Sequence, residues 1–266
     1  MSTASARDRG ARELRDTHTV ITGAPRGIGA ALAREFASRG SRVTVLARNA
    51  ESLKAVAAET DGTAMTVDLA EDLDGLVDRI EDLGGPIDVL VNNAAVVIPG
   101  SFAGLSGADV RMHVKVNLQA PMELCAQVIP KMLERERGAI VTISSLLGEI
   151  SSPNTAPYAA SKAGLTHFTE NLRRELRRTP IHVLLAILGV VETDMMLQTH
   201  EDPVLTKIAG RLGRIGSMTS QDVAERIVTA LEQQRPSLVL PKLVGPTYHL
   251  RQLPTRLTDV LMMGIR

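Results

Sequence analysis

The chain has 266 residues, 44% of them hydrophobic, enough for one large α/β domain or two small ones. Thirty basic residues balance thirty acidic ones, which excludes a global charge suited to nucleic acid or an acidic partner. A single cysteine, Cys125, excludes an internal disulfide, and no apolar run approaches the roughly 20 residues of a membrane span. A reducing, cytoplasmic setting is the expectation.

Residues 1–16 hold four arginines, two aspartates and a glutamate with no apolar stretch, so they are not a secretory signal and read as a flexible leader. Thr17–Thr22 is predicted as the first strand and Ile28–Arg39 as the first helix, stopped at Gly40. Between them runs Thr22-Gly23-Ala24-Pro25-Arg26-Gly27-Ile28-Gly29. A strand that turns through glycines into a helix makes a phosphate cradle, because backbone comes close and free N–H groups at the helix start face the anion. Its G-x-x-x-G-x-G spacing differs from the common dinucleotide fingerprint, and alone it would describe many glycine-rich turns.

Arg42–Ala47 is predicted as the second strand, followed by a helix N-capped by Asn49 that runs to Glu59. Thr63–Val67 is the third strand, ending at Asp68-Leu69, and a helix over Glu71–Leu83 is broken by Gly84-Gly85-Pro86. Asp88–Val91 is the fourth strand and leads into Asn92-Asn93-Ala94-Ala95. Ser106–Arg135 reads as helix interrupted near Pro121 and Pro130. Ala139–Ile143, Pro157–Arg178 and His182–Ile187 are the fifth strand, a long helix and the sixth strand. An irregular insert over 189–218 precedes a helix over Ser220–Gln233, capped by Thr219 with Asp222, and a seventh strand at Ser237–Leu240. Nearly continuous apolar strands separated by helices imply one doubly wound α/β domain over 17–240, its parallel sheet of about seven strands covered on both faces.

In such a fold the ligand lies at the carboxyl ends of the strands. Those ends are the glycine turn, Arg48-Asn49, Asp68, Asn93, Ser144-Ser145 and 189–193. Tyr158 and Lys162 stand four apart on one helix and share a face, which Pro157 in the first turn places near the strand ends. A phenol beside an ammonium is expected to have a lowered pKa and so to act as a general acid/base near neutrality. Ser145 could hold a substrate oxygen meanwhile. Cys125 has nothing beside it to activate it and reads as a small buried hydrophobe.

In these residues the chain resembles the short-chain dehydrogenase/reductases, in their single-domain branch, from Thr17 to about Leu240. The set is ordered: T-G-x-x-x-G-I-G at Thr22–Gly29, Asp68, N-N-A-A at Asn92–Ala95, Asn117, Ser145, and Tyr158-x-x-x-Lys162. The resemblance implies a Rossmann-like fold and a nicotinamide cofactor. It implies that Tyr158 exchanges a proton with the substrate oxygen, Ser145 orients that oxygen, Lys162 lowers the Tyr158 pKa and holds the nicotinamide ribose, and Asn117 places a relay water. The cofactor set it implies is Gly23, Pro25, Arg26, Gly27, Ile28, Gly29, Arg48, Asn49, Asp68, Leu69, Asn93, Ala94, Tyr158, Lys162, Val191 and Thr193, with no metal. Asp68 would take the adenine, Asn93 and Ala94 the adenosine side, and Val191 and Thr193 the carboxamide end. Ser144 is expected to be structural.

Charge argues for the cofactor's form. An acidic residue commonly follows the second strand when a ribose 2′-hydroxyl is bound, but here Ala47-Arg48-Asn49 stands there, and Arg26 adds a second cation. Two guanidinium groups suit a 2′-phosphate, so NADP(H) is expected. Two departures stand out: Ala95 replaces the family's glycine, and Leu188 replaces its proline before Gly189.

The expected substrate wall is Val96, Leu146, Leu147, Ile150 and Leu188 with Met195, Met196 and Leu197 of the insert, which suits a hydrophobic ketone or aldehyde and its alcohol. A 3-oxoacyl thioester, or a dinucleotide-binding regulator without catalysis, are the alternatives. The segment over 241–266 reads as a basic amphipathic tail suited to lid or oligomer packing, with peripheral membrane contact less favoured. The resemblance also implies a homodimer or homotetramer, paired through the fourth and fifth helices.

Overall fold

The structure is a computed structural model that describes residues 11–193 and 216–244, with residues 202, 206, 207, 210 and 213 between them. The expected wall residues Met195, Met196 and Leu197, and the tail from residue 245, lie outside the described residues.

Its strands are β1 (His18–Thr22), β2 (Arg42–Ala47), β3 (Thr63–Thr66), β4 (Val89–Asn92), β5 (Gly138–Ser145), β6 (Ile181–Leu188), β7 (Val191–Glu192), β8 (Met218–Thr219) and β9 (Ser237–Leu240). Its α-helices are α1 (Gly27–Ser38), α2 (Ala50–Glu59), α3 (Leu76–Gly84), α4 (Gly107–Val114), α5 (Ala120–Glu134), α6 (Ala156–Glu175) and α7 (Ser220–Glu232). Seven strands form one parallel sheet in the order β3-β2-β1-β4-β5-β6-β9. This is the doubly wound sheet that the alternation of apolar runs and helices implied.

Alternate residues of each strand supply opposite faces. Val20 enters the core under α3 and α5 with Leu76, Leu124 and Val128, whereas Ile21 enters the core under α1 and α7 with Ala30, Leu32 and Ile227. Burial on both faces is why β1 has no exposed position. With few aromatics, the packing is aliphatic, and Phe36 is the largest side chain fully enclosed in it.

Four local expectations are corrected. Residues 11–16 are not a free leader: Leu14 is buried in the core, Arg12 N–H donates to the Glu232 carbonyl at 2.8 Å, and Asp16 N–H donates to that of Gly40 at 2.9 Å. One apolar residue among charges gave no periodic signal. Helix α3 starts at Leu76 rather than Glu71, because Asp72 accepts the Asp74 N–H at 2.9 Å in a turn and Gly75 follows at φ 67°.

The prolines do not interrupt the 106–135 region. Pro121 falls in the first turn of α5 and Pro130 is carried inside it, while the irregularity is a π-helical segment, Lys115–Gln119, where the Ala120 N–H reaches back to the Lys115 carbonyl. Pro121 has no N–H for the Asn117 carbonyl four residues back, so that carbonyl lacks its α-helical partner. At α7, Thr219 accepts the Asp222 N–H at 3.1 Å, and the Asp222 carboxylate accepts the Thr219 hydroxyl rather than a backbone N–H. Only half of a capping box forms.

At the end of the sheet away from the strand termini that carry the motifs, His18 is enclosed between the Gly85 carbonyl at 2.7 Å and the Thr44 hydroxyl at 2.8 Å. Burial holds its pKa below the ordinary 6.5, against the opposing pull of the Gly85 carbonyl. A lowered folded-state value means that the unfolded chain takes up the proton first. This contribution to stability is complete above pH 6.5 and is lost as pH falls from there through the folded-state value. Urea melts from pH 7.5 to 5 should show a slope of up to about 1.4 kcal/mol per pH unit for this one proton, and His18→Gln should flatten it.

Candidate active site

The strand order reverses direction between β1 and β4, and a crevice opens at their carboxyl ends there. Four hydrogen bonds lock the two ends together. The Asn93 and Ala94 N–H groups both donate to the Thr22 hydroxyl, at 3.1 and 3.0 Å, and Asn93 Nδ2 donates to the carbonyls of Thr22 and Gly23, at 2.9 and 3.0 Å. Gly23 has φ 68°, and a Cβ there would lie 2.6 Å from Ala94 Cα. Only glycine lets these two turns touch.

Helix α1 begins under this crossing. Arg26, its N-cap, is extended and makes no side-chain cap, and no acidic residue stands in the first turn. No acidic residue of its own first turn therefore compensates the positive end of α1, which fits a pyrophosphate there. Thr193 stands over the same turn, its Cγ2 3.3 Å from where a Cβ of Gly27 would sit. It is held by the short ladder of β7 with β8, which brings the two ends of the insert together.

The cleft has a volume of about 1030 Å³ and runs from the end of β2 to α6. All the residues of the expected cofactor set line it: the glycine turn, Arg48 and Asn49, Asp68 and Leu69, Asn93 and Ala94, Tyr158 and Lys162, and Val191 and Thr193. At the β2 end, the Arg48 guanidinium lies 4.0 Å from the Asp68 carboxylate, which also accepts the Ala70 N–H at 2.9 Å. Asn49 uses its side chain to cap α2, accepting from the Ser52 N–H at 3.0 Å and the Ser52 hydroxyl at 2.9 Å. Ser52 also lines the cleft; its place in the first turn after an Asn cap was the available signal for it.

At the other end, the turn after β5 folds against α6. Gly148 permits this: a Cβ there would lie 2.8 Å from the Ala163 backbone nitrogen. The Ser145 hydroxyl accepts the Leu147 N–H at 3.2 Å and draws the Tyr158 pKa down. Ser144 is buried and ties β5 to α6, donating to the Lys162 carbonyl at 3.2 Å and pairing with the Thr166 hydroxyl at 2.7 Å. Lys162 is 2% exposed, and its ammonium donates to the Ile143 carbonyl at 2.9 Å.

The electrostatics correct one expectation. Burial raises the Tyr158 pKa above the ordinary value of tyrosine, with the Ser145 hydrogen bond opposing, instead of Lys162 lowering it. Burial also pulls the Lys162 ammonium down to about 8. The phenol is therefore held in its protonated form, and the lysine is the group brought toward neutrality. Cys125 is buried with its thiol pushed up to about 12 by desolvation, which leaves it inert.

Asn117 does not line the cleft. It is fully buried, accepting the Val96 N–H at 2.7 Å and donating to the Val96 carbonyl at 2.9 Å and the Ser161 hydroxyl at 3.1 Å. Ser161 donates in turn to the Tyr158 carbonyl at 2.7 Å. Of the expected substrate wall, Val96, Leu146, Leu147 and Leu188 line the cleft, joined by Val97 and Val190; Ile150 is 46% exposed and does not. Leu188, standing where proline was expected, extends β6 into register with Ser145 and Leu240. Among the described residues there is no cluster of metal ligands, and no helix is long and apolar enough to cross a membrane.

Known proteins share this arrangement. The family model for short chain dehydrogenases matches residues 17–203. A ketoacyl reductase, HetN, from Nostoc sp. is 33% identical over 229 residues, covering 83% of this chain and 77% of that protein. A metagenomic short-chain oxidoreductase solved with NADP superimposes with a TM-score of 0.70 at 30% identity, covering 86% of this chain and 97% of the other. A short-chain dehydrogenase/reductase from Burkholderia phymatum solved with NAD shares the fold, with a TM-score of 0.79 at 23% identity over 93% of this chain and 96% of the other. With the switch-point crevice and the Ser145, Tyr158 and Lys162 group already in place, these matches make the chain a member of the short-chain dehydrogenase/reductase family, an oxidoreductase of the CH–OH/C=O pair.

Proposed function

We propose that this chain is an NADP(H)-dependent reductase of a hydrophobic ketone or aldehyde. The observation that carries the reading is one cleft lined by a half-buried Tyr158, its phenol held protonated, with Ser145 and Lys162, and by Arg26 and Arg48. The nicotinamide, when bound, supplies the hydride. Ser145 and Tyr158 orient the substrate oxygen, and the Tyr158 phenol delivers the proton to it as the hydride arrives. Lys162, with a pKa near 8, would hold the ribose of a bound nicotinamide cofactor and is the nearby group with a proton to return to Tyr158. The side chain of Asn117 is committed to Val96 and Ser161, so a relay water would have to be placed by its backbone carbonyl.

Solved neighbours hold NADP or NAD, so the cofactor form rests on charge in this chain. Arg26 and Arg48 both line the cleft, and a 2′-phosphate would draw Arg48 from its 4.0 Å approach to Asp68 into a charge-assisted bond. The apolar side chains of Val96, Val97, Leu146, Leu147, Leu188 and Val190 favour a hydrophobic substrate. A 3-oxoacyl thioester is the second reading, favoured by the likeness to a ketoacyl reductase. Exposed Val114, Met122 and Leu133 along α4 and α5 support pairing with a second copy.

A spectrophotometric panel of ketones, aldehydes and 3-oxoacyl thioesters with NADPH and NADH tests this. NADPH should be preferred, and Arg48→Asp should weaken NADPH about 10- to 100-fold while leaving NADH within a few-fold. A wild-type preference for NADH overturns the cofactor assignment. No turnover of any compound, with NADPH still bound, favours the non-catalytic regulator. Sedimentation of the same preparation should show a dimer or tetramer.

A further inference from the structure

One fully enclosed polar side chain beside the cleft has no part in the roles above. His113, on α4, is 0% exposed. Its Nδ1 lies 2.7 Å from the Asp109 carbonyl, an acceptor, so Nδ1 carries the proton. Nε2 is then a bare lone pair, and it accepts the Ile98 N–H at 3.1 Å. Four residues on, Asn117 grips Val96 through both its N–H and its carbonyl.

The chain over 96–98 has no regular structure, and among the described residues no backbone–backbone hydrogen bond holds it. Two side chains on one helical face therefore do what a neighbouring strand would do, taking the N–H groups of alternate residues Val96 and Ile98. Val96 and Val97 form part of the cleft's apolar lining, so the position of that wall depends on this clamp.

We propose that His113 is a positioning residue for the substrate half of the site, its Nε2 lone pair holding Ile98 so that Val96 and Val97 present a fixed wall. The proposal rests on the reading of the cleft as a reductase site for hydrophobic carbonyls. A ring in one tautomer serves better than a flexible amide, because it has few rotamers to lose and no donor at the contacting atom. The hydrogen bonds of His113 go to Asp109 and Ile98, not to the glycine turn or the ends of β2 and β3.

The test compares wild type with His113→Gln, His113→Asn and His113→Leu in the full chain. Gln can place an amide oxygen near the position of Nε2; Asn is too short, and Leu fills the space without an acceptor. Leu and Asn should raise KM for the best ketone of the panel about tenfold, with kcat within about threefold and NADPH affinity unchanged, and Gln should recover most of the loss. Hydrogen exchange of a peptide spanning 96–100 should quicken about tenfold in Leu and Asn and return toward wild type in Gln.

Unchanged KM and exchange in the Leu variant, or equal impairment in Gln and Asn, overturns the proposal. So does a parallel loss of NADPH affinity. If the Leu variant does not fold, the Gln–Asn comparison decides. If wild type reduces no carbonyl, the reductase reading fails, and the exchange series still shows whether His113 holds the segment.

Discussion

Tyr158→Phe should lower kcat for carbonyl reduction about 10³-fold, within the range for loss of a positioned general acid, while NADPH affinity stays within about twofold. The ring keeps its volume, so the wall of the cleft stays filled, and what disappears is the proton donor and the partner of the Ser145 hydroxyl. One lost hydrogen bond costs stability about 1 kcal/mol, too little to explain the rate. Because burial raises the phenol pKa above its ordinary value, wild-type reduction should be flat with pH across the neutral range. Oxidation of the alcohol needs the phenolate and should rise with pH instead. Steady-state rates in both directions, with NADPH titrations on the variant, check this. An unchanged kcat in Tyr158→Phe would remove the residue from the proton-transfer role.

Lys162→Met should abolish most activity, at least about 100-fold, and yet make the protein more stable at pH 7. Lys162 is 2% exposed and its pKa is drawn from 10.5 to about 8 by burial alone. The folded chain therefore loses the proton before the unfolded chain does, and stability rises as pH increases from about 8 to 10.5. At pH 7 the buried ammonium costs on the order of 3 kcal/mol by this linkage, against which its bond to the Ile143 carbonyl returns about 1 kcal/mol. Methionine removes both, so urea melts should show a net gain of about 2 kcal/mol at pH 7 that shrinks toward pH 10. Loss of both stability and activity would make Lys162 a packing residue, because its ammonium would then not be held at a cost to the fold.

The site was legible to the extent that its residues are fixed by local spacing. Gly23, Gly27 and Gly29 mark a turn that only glycine permits, and Tyr158 and Lys162 share a helix face by period alone. The caps at Asn49 and Thr219 follow from a side-chain oxygen three residues before a free N–H. The proline breaks were misplaced because proline is tolerated where its missing N–H costs little, and the disturbance shifted to the π segment that carries Asn117. The direction of the Tyr158 shift was not legible either. A lysine four residues away suggests a nearby charge, but the depth of burial is set by β5, α6 and the turn after Ser145, which meet only in the fold.

His113 shows the same limit: its partner Ile98 lies fifteen residues earlier, and nothing in the spacing joins them. Leu14 is one apolar residue among charges, without a period to mark it as core. By itself, then, the sequence determined the alternation of strands and helices, the strand ends at which a ligand must lie, and the family to which the motifs belong. These are properties of local period, turn chemistry and chain order. The tertiary structure alone decided which titratable groups are buried, which way their pKa values move, and which buried polar atoms brace the cleft. Desolvation and long-range hydrogen bonds depend on what packs against a residue, and that is set by segments far away in the chain.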